Sequence, residues 1–205
     1  MKSALQSLGS IHGDIVHSRR VQILAEHFAQ VIPKNHAVLD VGCGDGRIDR
    51  LLLNRRPDLT ISGTDVLIRP ESHIQVVPYD GQRLPFRDGS WDTVLFCDVL
   101  HHTESPSAML QEAVRVARHS VVIKDHVLEG PFAYATLRFM DFVGNAPHRV
   151  SLPYNYLTAE EWEDTFRECR LTPSQVIRRL NIYPLWADRI FGRSLHFLGA
   201  YSIRR

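Results

Sequence analysis

The residues best suited to hold a ligand are three glycines spaced two apart with a carboxylate just ahead of them: Asp40-Val41-Gly42-Cys43-Gly44-Asp45-Gly46. Glycine permits a positive φ and lets a ligand approach the backbone. A dinucleotide fingerprint has the wider Gly-x-Gly-x-x-Gly spacing, whose amides and helix N-terminus take a pyrophosphate. A carboxylate beside the turn does nothing for an anion and favours a cationic group. A second acid, Asp65, follows at close to the ~20 residues expected of a ribose-binding carboxylate. The pattern predicts a pocket for a ribose and a positive group.

A second set of residues could move protons. His101, His102 and His126 follow two apolar runs, with Asp98 and Asp125 beside them. Histidine titrates near neutrality and suits a general base. Each has a plainer reading as a capping or loop-ordering side chain. His126 stands between the end of an apolar run and a stretch rich in aromatics, where a second ligand should enter. Neighbours on a strand point to opposite faces, so Asp125 and His126 need not touch.

The elements that must position these residues alternate in type. The pattern Val21, Leu24, Ala25, Phe28 predicts a helix over about 15–32, which Pro33 stops. Strands are predicted at 37–41, 59–65, 74–79, 93–99 and 120–124, with a helix from Arg47 and another with Pro106 in its first turn. Thr158-Ala159-Glu160-Glu161 is a capping box opening a further helix. Strands are expected at 174–180 and 195–203. Open sheets of alternating strands and helices bind ligands at the carboxyl ends of their strands. That rule gathers Asp40, Asp65, Asp80, Cys97, Asp98, Asp125 and His126 at one edge.

In this order the motifs resemble the class I S-adenosylmethionine-dependent methyltransferases, in particular the type 11 branch that includes ubiquinone and menaquinone biosynthesis methyltransferases. Val38 to Gly46 is similar to the family's first motif and Asp65 to its ribose-binding acid. Tyr79 to Phe86 is similar to the segment whose acid reads the adenine amino group. Phe86 to Asp92 and Cys97 to His102 are similar to its fourth-strand region. The likeness runs from about Ala37 to Val127. It implies a Rossmann-like, doubly wound, seven-stranded and mostly parallel α/β sheet with an antiparallel last strand and helices on both faces. It implies S-adenosyl-L-methionine as cofactor, held by Asp40, Gly42, Cys43, Gly44, Asp65, Val66, Asp80, Gly81 and Cys97. His126, His101 and His102 are the candidate catalytic residues. No metal is expected, since transfer from a sulfonium needs none; a chelate of His101, His102, Asp125 and His126 is the minor alternative. Val114 to Ser120 lacks the Pro-Gly-Gly turn usual before the family's fifth strand, so that turn must be made otherwise.

Composition bounds the rest. The 205 residues suggest one domain: a cap helix within 1–33, a cofactor-binding core over 37–127 and a substrate lid over 128–157. The lid reading stands beside that of an extra core helix. His12, His17 and Arg19 could touch ligand from the cap, or be exposed polar positions. With 24 basic and 23 acidic residues the formal charge is +1, which gives no general attraction to nucleic acid or anionic lipid. A small-molecule acceptor is therefore favoured over tRNA or protein, or over a non-catalytic cofactor-binding role. A nicotinamide oxidoreductase is disfavoured by the glycine spacing and by Asp40. Cys43, Cys97 and Cys169 form neither a disulfide framework nor a metal spacing and read as packing residues. The absence of a signal-like or spanning run leads to a cytoplasmic expectation.

Overall fold

The computed structural model describes residues 18–145, 153–184, 187–192 and 194–204. His12 and His17, with the start of the cap, lie outside the described residues, as do 146–152 of the expected lid. Helix α1 covers 18–31. There follow β1 (Ala37–Val41), α2 (Arg47–Arg55), β2 (Thr60–Asp65), β3 (Val76–Pro78), β4 (Trp91–Cys97), a 3₁₀ turn (Leu100–His102), α3 (Pro106–Val116) and β5 (Ala117–His126). The chain continues through α4 (Ala133–Asn145), α5 (Ala159–Glu168), β6 (Leu171–Ile177), a π turn (Asp188–Gly192) and β7 (His196–Ile203).

The strands form one sheet in the order β3-β2-β1-β4-β5-β7-β6. The first five run parallel; β7 enters antiparallel between β5 and β6. The two-residue side-chain period of a strand divides the core between two layers. Leu39, Val41, Val94, Phe96, Val121 and Ile123 pack with Met109, Leu110 and Ala113 of α3 and with Trp162 and Phe166 of α5. The intervening Val38, Leu95 and Val122 pack with Leu24 and Phe28 of α1 and Leu52 of α2. Helices therefore cover both faces, and the central strands are apolar through their middles because each is buried twice. No described helix is long and apolar enough to cross a membrane.

Local signals set the helix starts. Ser105 caps α3, its side chain accepting from the Ala108 amide at 3.3 Å, with Pro106 in the first turn. Thr158 and Glu161 form the reciprocal capping box of α5. Apart from β1, the strand bounds differ from the sequence expectation by about one to three residues, and two of the differences have a visible cause. The sixth strand begins at Leu171, not Ser174, because Pro173 sits at an irregularity of an edge strand, a place where a missing amide proton is tolerated. The fifth strand begins at Ala117, directly after α3.

That second difference answers the missing Pro-Gly-Gly. The chain passes from helix to strand with no intervening loop; Ala117 already has extended φ and ψ of −81° and 144°. Arg115 stabilises the junction. Its guanidinium donates to the carbonyls of Leu84 and Phe86 at 3.0 and 2.8 Å and pairs with Glu112 and Asp88. The Arg115 carbonyl accepts from the Gly89 amide at 2.9 Å. We expect Arg115→Ala to lower unfolding stability by about 1–3 kcal/mol, since two backbone carbonyls lose charged donors. Arg115→Lys should recover only part, because an ammonium lacks the planar fork. Chemical denaturation measures both.

Candidate active site

The carboxyl ends of β1, β2, β4 and β5 open on a cavity of about 1180 Å³. One end is lined by Gly42, Gly44, Asp65, Val66, Tyr79, Asp80 and Gly81, the other by Arg20, Asp98, Lys124, His126, Asp141 and Tyr183. His102 also reaches this space, and Phe139, Met140 and Phe191 form its apolar wall.

At the glycine end the turn needs the left-handed backbone. Gly42, Gly44 and Gly46 have φ of 74°, 60° and 71°. A Cβ on Gly42 would lie 2.5 Å from Val99 Cγ2, while one on Gly44 would meet no protein atom within 4 Å. The first glycine is required by packing; the second presents bare backbone to the cavity. Asp65 braces the turn, accepting from the Gly44 amide at 2.8 Å and the Leu67 amide at 2.8 Å. Each of its oxygens keeps a second lone pair. Asp80 is exposed and its Oδ1 accepts from the Gln82 and Arg83 amides at 2.8 and 2.9 Å, which lowers its pKa. Burial raises the thiols of Cys43 and Cys97, so both are poor nucleophiles at neutral pH.

Asp40 is 3% exposed and Asp49 of α2 fully buried. Oδ1 of Asp40 and both oxygens of Asp49 lack a hydrogen-bond donor among the described residues. Burial, then the charge of Asp49, raises Asp40 well above the usual carboxylate range. Burial pushes Asp49 up to about 7. A retained proton supplies the donor that this pair otherwise lacks.

At the other end Asp98, with a φ of 57°, joins Lys124 of β5 to Arg20 of α1. These cations hold its carboxyl well below the usual range in spite of burial. Beside them lies a chain of histidines. His196 Nε2 approaches the Phe191 carbonyl at 2.8 Å, and His196 Nδ1 approaches His126 Nδ1 at 3.1 Å. A carbonyl only accepts, so Nε2 of His196 carries a proton. Burial, then Lys124 and His126, holds the His196 pKa well below the ordinary value. His196 is therefore neutral and its Nδ1 accepts, from His126 Nδ1 or from Lys124 Nζ, which lies 3.4 Å away. Burial, then His101 and Lys124, also lowers His126. His126 Nε2 is 3.5 Å from Asp98 Oδ1 and 3.6 Å from Asp141 Oδ1.

His101 is 1% exposed and stands behind this wall. Its Nδ1 is 2.5 Å from Asp125 Oδ1, and its Nε2 is 3.3 Å from Asp141 Oδ2. Burial opposes the charged ring, but Asp125 and then Asp141 raise its pKa to about 10. Burial and the charge of His101 lower His102 to about 4. Asp125 faces His101 while His126 faces Asp98, as opposite strand faces require. The two side chains stay apart, although the His126 amide donates to Asp125 Oδ1 at 2.7 Å.

The structure thus brings together His101, His102 and His126, and separately Asp40, Gly42, Cys43, Gly44 and Asp65, with Val66, Asp80 and Gly81 at the mouth. Cys97 lies between, its Sγ 4.0 Å from Asp98 Oδ2. Arg19 turns away to the Asn181 carbonyl; its neighbour Arg20 lines the cavity. Sequence reasoning missed Lys124, Asp141, His196 and Tyr156. Tyr156 donates its hydroxyl to Asp141. A lysine at the end of an apolar strand was the available signal for Lys124. His196 had none, since it meets His126 only through the β5–β7 register. Along helix α4, Ala133 and Leu137 are core, while Phe139, Met140 and Asp141 line the cavity.

Residues 39–123 match the family model described as "Methyltransferase domain". A Methanocaldococcus jannaschii protein, "Uncharacterized protein MJ1123", is 31% identical over 105 residues, covering 51% of this chain and 48% of that one. The Xenopus tropicalis "tRNA (carboxymethyluridine(34)-5-O)-methyltransferase alkbh8" is 34% identical over 99 residues, 44% of this chain and 15% of that one. The chain thus spans half or less of these relatives' length. Among solved structures, a Haloferax volcanii putative methyltransferase in complex with the Trm112 methyltransferase activator superposes with a TM-score of 0.68. It shares 15% identity over 91% of both chains. The sheet order and these likenesses define the class I S-adenosylmethionine-dependent methyltransferase fold. Over residues 39–123 the chain is similar to the type 11 methyltransferase domains, whose methyl donor is S-adenosylmethionine.

The Asp40–Asp49 pair makes stability depend on pH. Asp49 titrates near 7 when folded against an ordinary value of 3.8, so the folded chain holds an extra proton between those values. Unfolding stability should therefore fall as pH rises from about 4 to 7. Asp49→Asn should raise the Tm at pH 8 and gain little at pH 4, as thermal scans at the two pH values would read.

Proposed function

We propose that this protein transfers a methyl group from S-adenosylmethionine to a small molecule that enters beside His126. The observation that carries the reading is one cavity joining the glycine turn and its acids to the buried His126. The cofactor fits the first end: Gly44 offers open backbone, and Asp65 keeps acceptor capacity for two ribose hydroxyls. In this reading Gly42, Cys43 and Gly44 cradle the amino-acid part, with Asp40 beneath and the Cys97 backbone facing its amino group. Asp80 and Gly81 take the adenine edge, and Val66 packs on its face. When bound, the cofactor supplies a methyl group already activated by sulfonium charge.

The chain has two further tasks, to align the acceptor and to receive its proton. Holding the reacting atoms in line supplies much of such a rate enhancement. His126 receives the proton of a hydroxyl or ammonium acceptor, and burial beside His101 and Lys124 keeps its ring uncharged beforehand. His102 forms the adjoining wall and His101 holds Asp141 in place. Helix α4 closes the apolar side as the lid. We take the described elements as one unit, because both core layers run through a single sheet. Its three free cysteines suit the reducing cytoplasm. A second reading, an RNA acceptor, has the name of the frog relative in its favour; the balanced charge supports the small molecule.

Asp65→Ala should weaken S-adenosylmethionine binding by calorimetry, at about 1.5–3 kcal/mol for each charge-assisted bond lost, with the fold retained. Unchanged affinity would place the ribose elsewhere. His126→Ala should lower kcat by about 10²–10⁴ with cofactor affinity intact, and the loss should shrink at high pH where the acceptor ionises unaided. A fall in affinity without a fall in turnover would assign His126 to binding instead.

A further inference from the structure

We infer that His101, His102 and Asp141 form a binding site for one divalent transition-metal ion at the wall of the acceptor end of the cavity. One ligand atom from each of the three lies within 4.8 Å of the others. An ion at about 2.0–2.2 Å from imidazole nitrogen and carboxylate oxygen needs only a small closing of that triangle. Two imidazoles and a carboxylate suit zinc, manganese, iron, cobalt or nickel in the divalent state.

The second observation concerns the ring nitrogens of the two histidines. His102 Nδ1 is buried without a hydrogen-bond partner among the described residues, and His101 Nε2, also buried, has the Asp141 carboxylate at 3.3 Å but in no aligned hydrogen bond. His101 is itself 1% exposed. A buried polar atom without a partner is costly and calls for an explanation such as an ion.

The third is the outer arrangement. Asp125 Oδ1 lies 2.5 Å from His101 Nδ1, and the Leu100 and His126 amides donate to the same carboxylate at 3.0 and 2.7 Å. His101 is thereby turned so that Nε2 faces Asp141. A carboxylate behind a histidine, fixing its tautomer and orientation, is the usual support of a metal-bound imidazole. Tyr156 likewise orients Asp141 by donating its hydroxyl. On binding, the ion takes the place of the proton on His101 Nε2, which leaves to solvent.

His102 and Asp141 line the cavity, so three protein ligands leave the ion a coordination position open to it. Resting on the methyl-transfer reading, that position takes an oxygen or nitrogen donor of the acceptor, which selects acceptors able to coordinate a metal. Binding of the metal alone does not depend on that reading.

The full chain, stripped with chelator, should be titrated with Co²⁺ and followed by ligand-field absorption and calorimetry. One ion per chain with a visible spectrum of nitrogen and oxygen ligation is expected. His102→Ala and Asp141→Asn should each abolish that spectrum. Asp125→Asn should keep it and weaken affinity about 10–100-fold. His119→Ala, a surface histidine 61% exposed at its side chain, should change nothing. Absence of stoichiometric binding by the folded wild-type chain overturns the site, as does a spectrum unaltered in both ligand variants. Since no cofactor or acceptor is present, either failure leaves the methyl-transfer reading untouched.

Discussion

The buried charge set around Asp98 is the constraint on which the active edge depends. Lys124 is fully buried on the fifth strand, where an ammonium without a partner would be strongly disfavoured. Asp98 meets it by adopting a left-handed backbone, and Arg20 completes the carboxylate's neutralisation from the first helix. Removing one member of such a set leaves uncompensated buried charge, at a cost of about 3–5 kcal/mol. The set therefore pins α1 to the ends of β4 and β5. It also sets the electrostatics of this end of the cavity, since Lys124 helps to keep His126 and His196 neutral.

The antiparallel seventh strand acts on this edge in a second way. Its insertion next to β5 places His196 opposite His126, and the carbonyl of Phe191 then fixes the proton of His196 on Nε2. On the other side of the strand pleat Asp125 turns to His101. One strand thus organises two histidines differently. His126 is kept neutral at the cavity wall, and His101 is held charged between two carboxylates. Asp141, from the helix that closes the apolar wall, meets both. The closing helix and the chemical residues are consequently one assembly, and movement of α4 changes the surroundings of His101 and His126 together.

Much of the fold was legible because its signals are local. The apolar run at 37–41, the glycine turn, the cap at Ser105 and the capping box at Thr158 each report a backbone state within a few residues. The β1 boundaries and the α5 start follow directly from them. Two of the boundaries that differed depend on partners. Pro173 is compatible with a strand only because β6 lies at the sheet edge. Ala117 begins a strand at once only because Arg115 reaches back to the carbonyls of Leu84 and Phe86.

By itself the sequence determined the class of fold, the glycine turn, the acids at the ends of the first three strands, and three candidate histidines. Composition, periodicity and short-range spacing encode all of these. The tertiary structure decided which groups share a site and in what protonation. Asp49 became the partner of Asp40 only when α2 packed on the sheet, and an aspartate in the first turn of a helix otherwise reads as solvent-exposed. Asp141, Lys124 and His196 joined the histidines through α4 docking, burial and strand register, contacts that span long stretches of chain. A pKa or a tautomer follows from burial and from the nearest charges, and no linear pattern of residues specifies those.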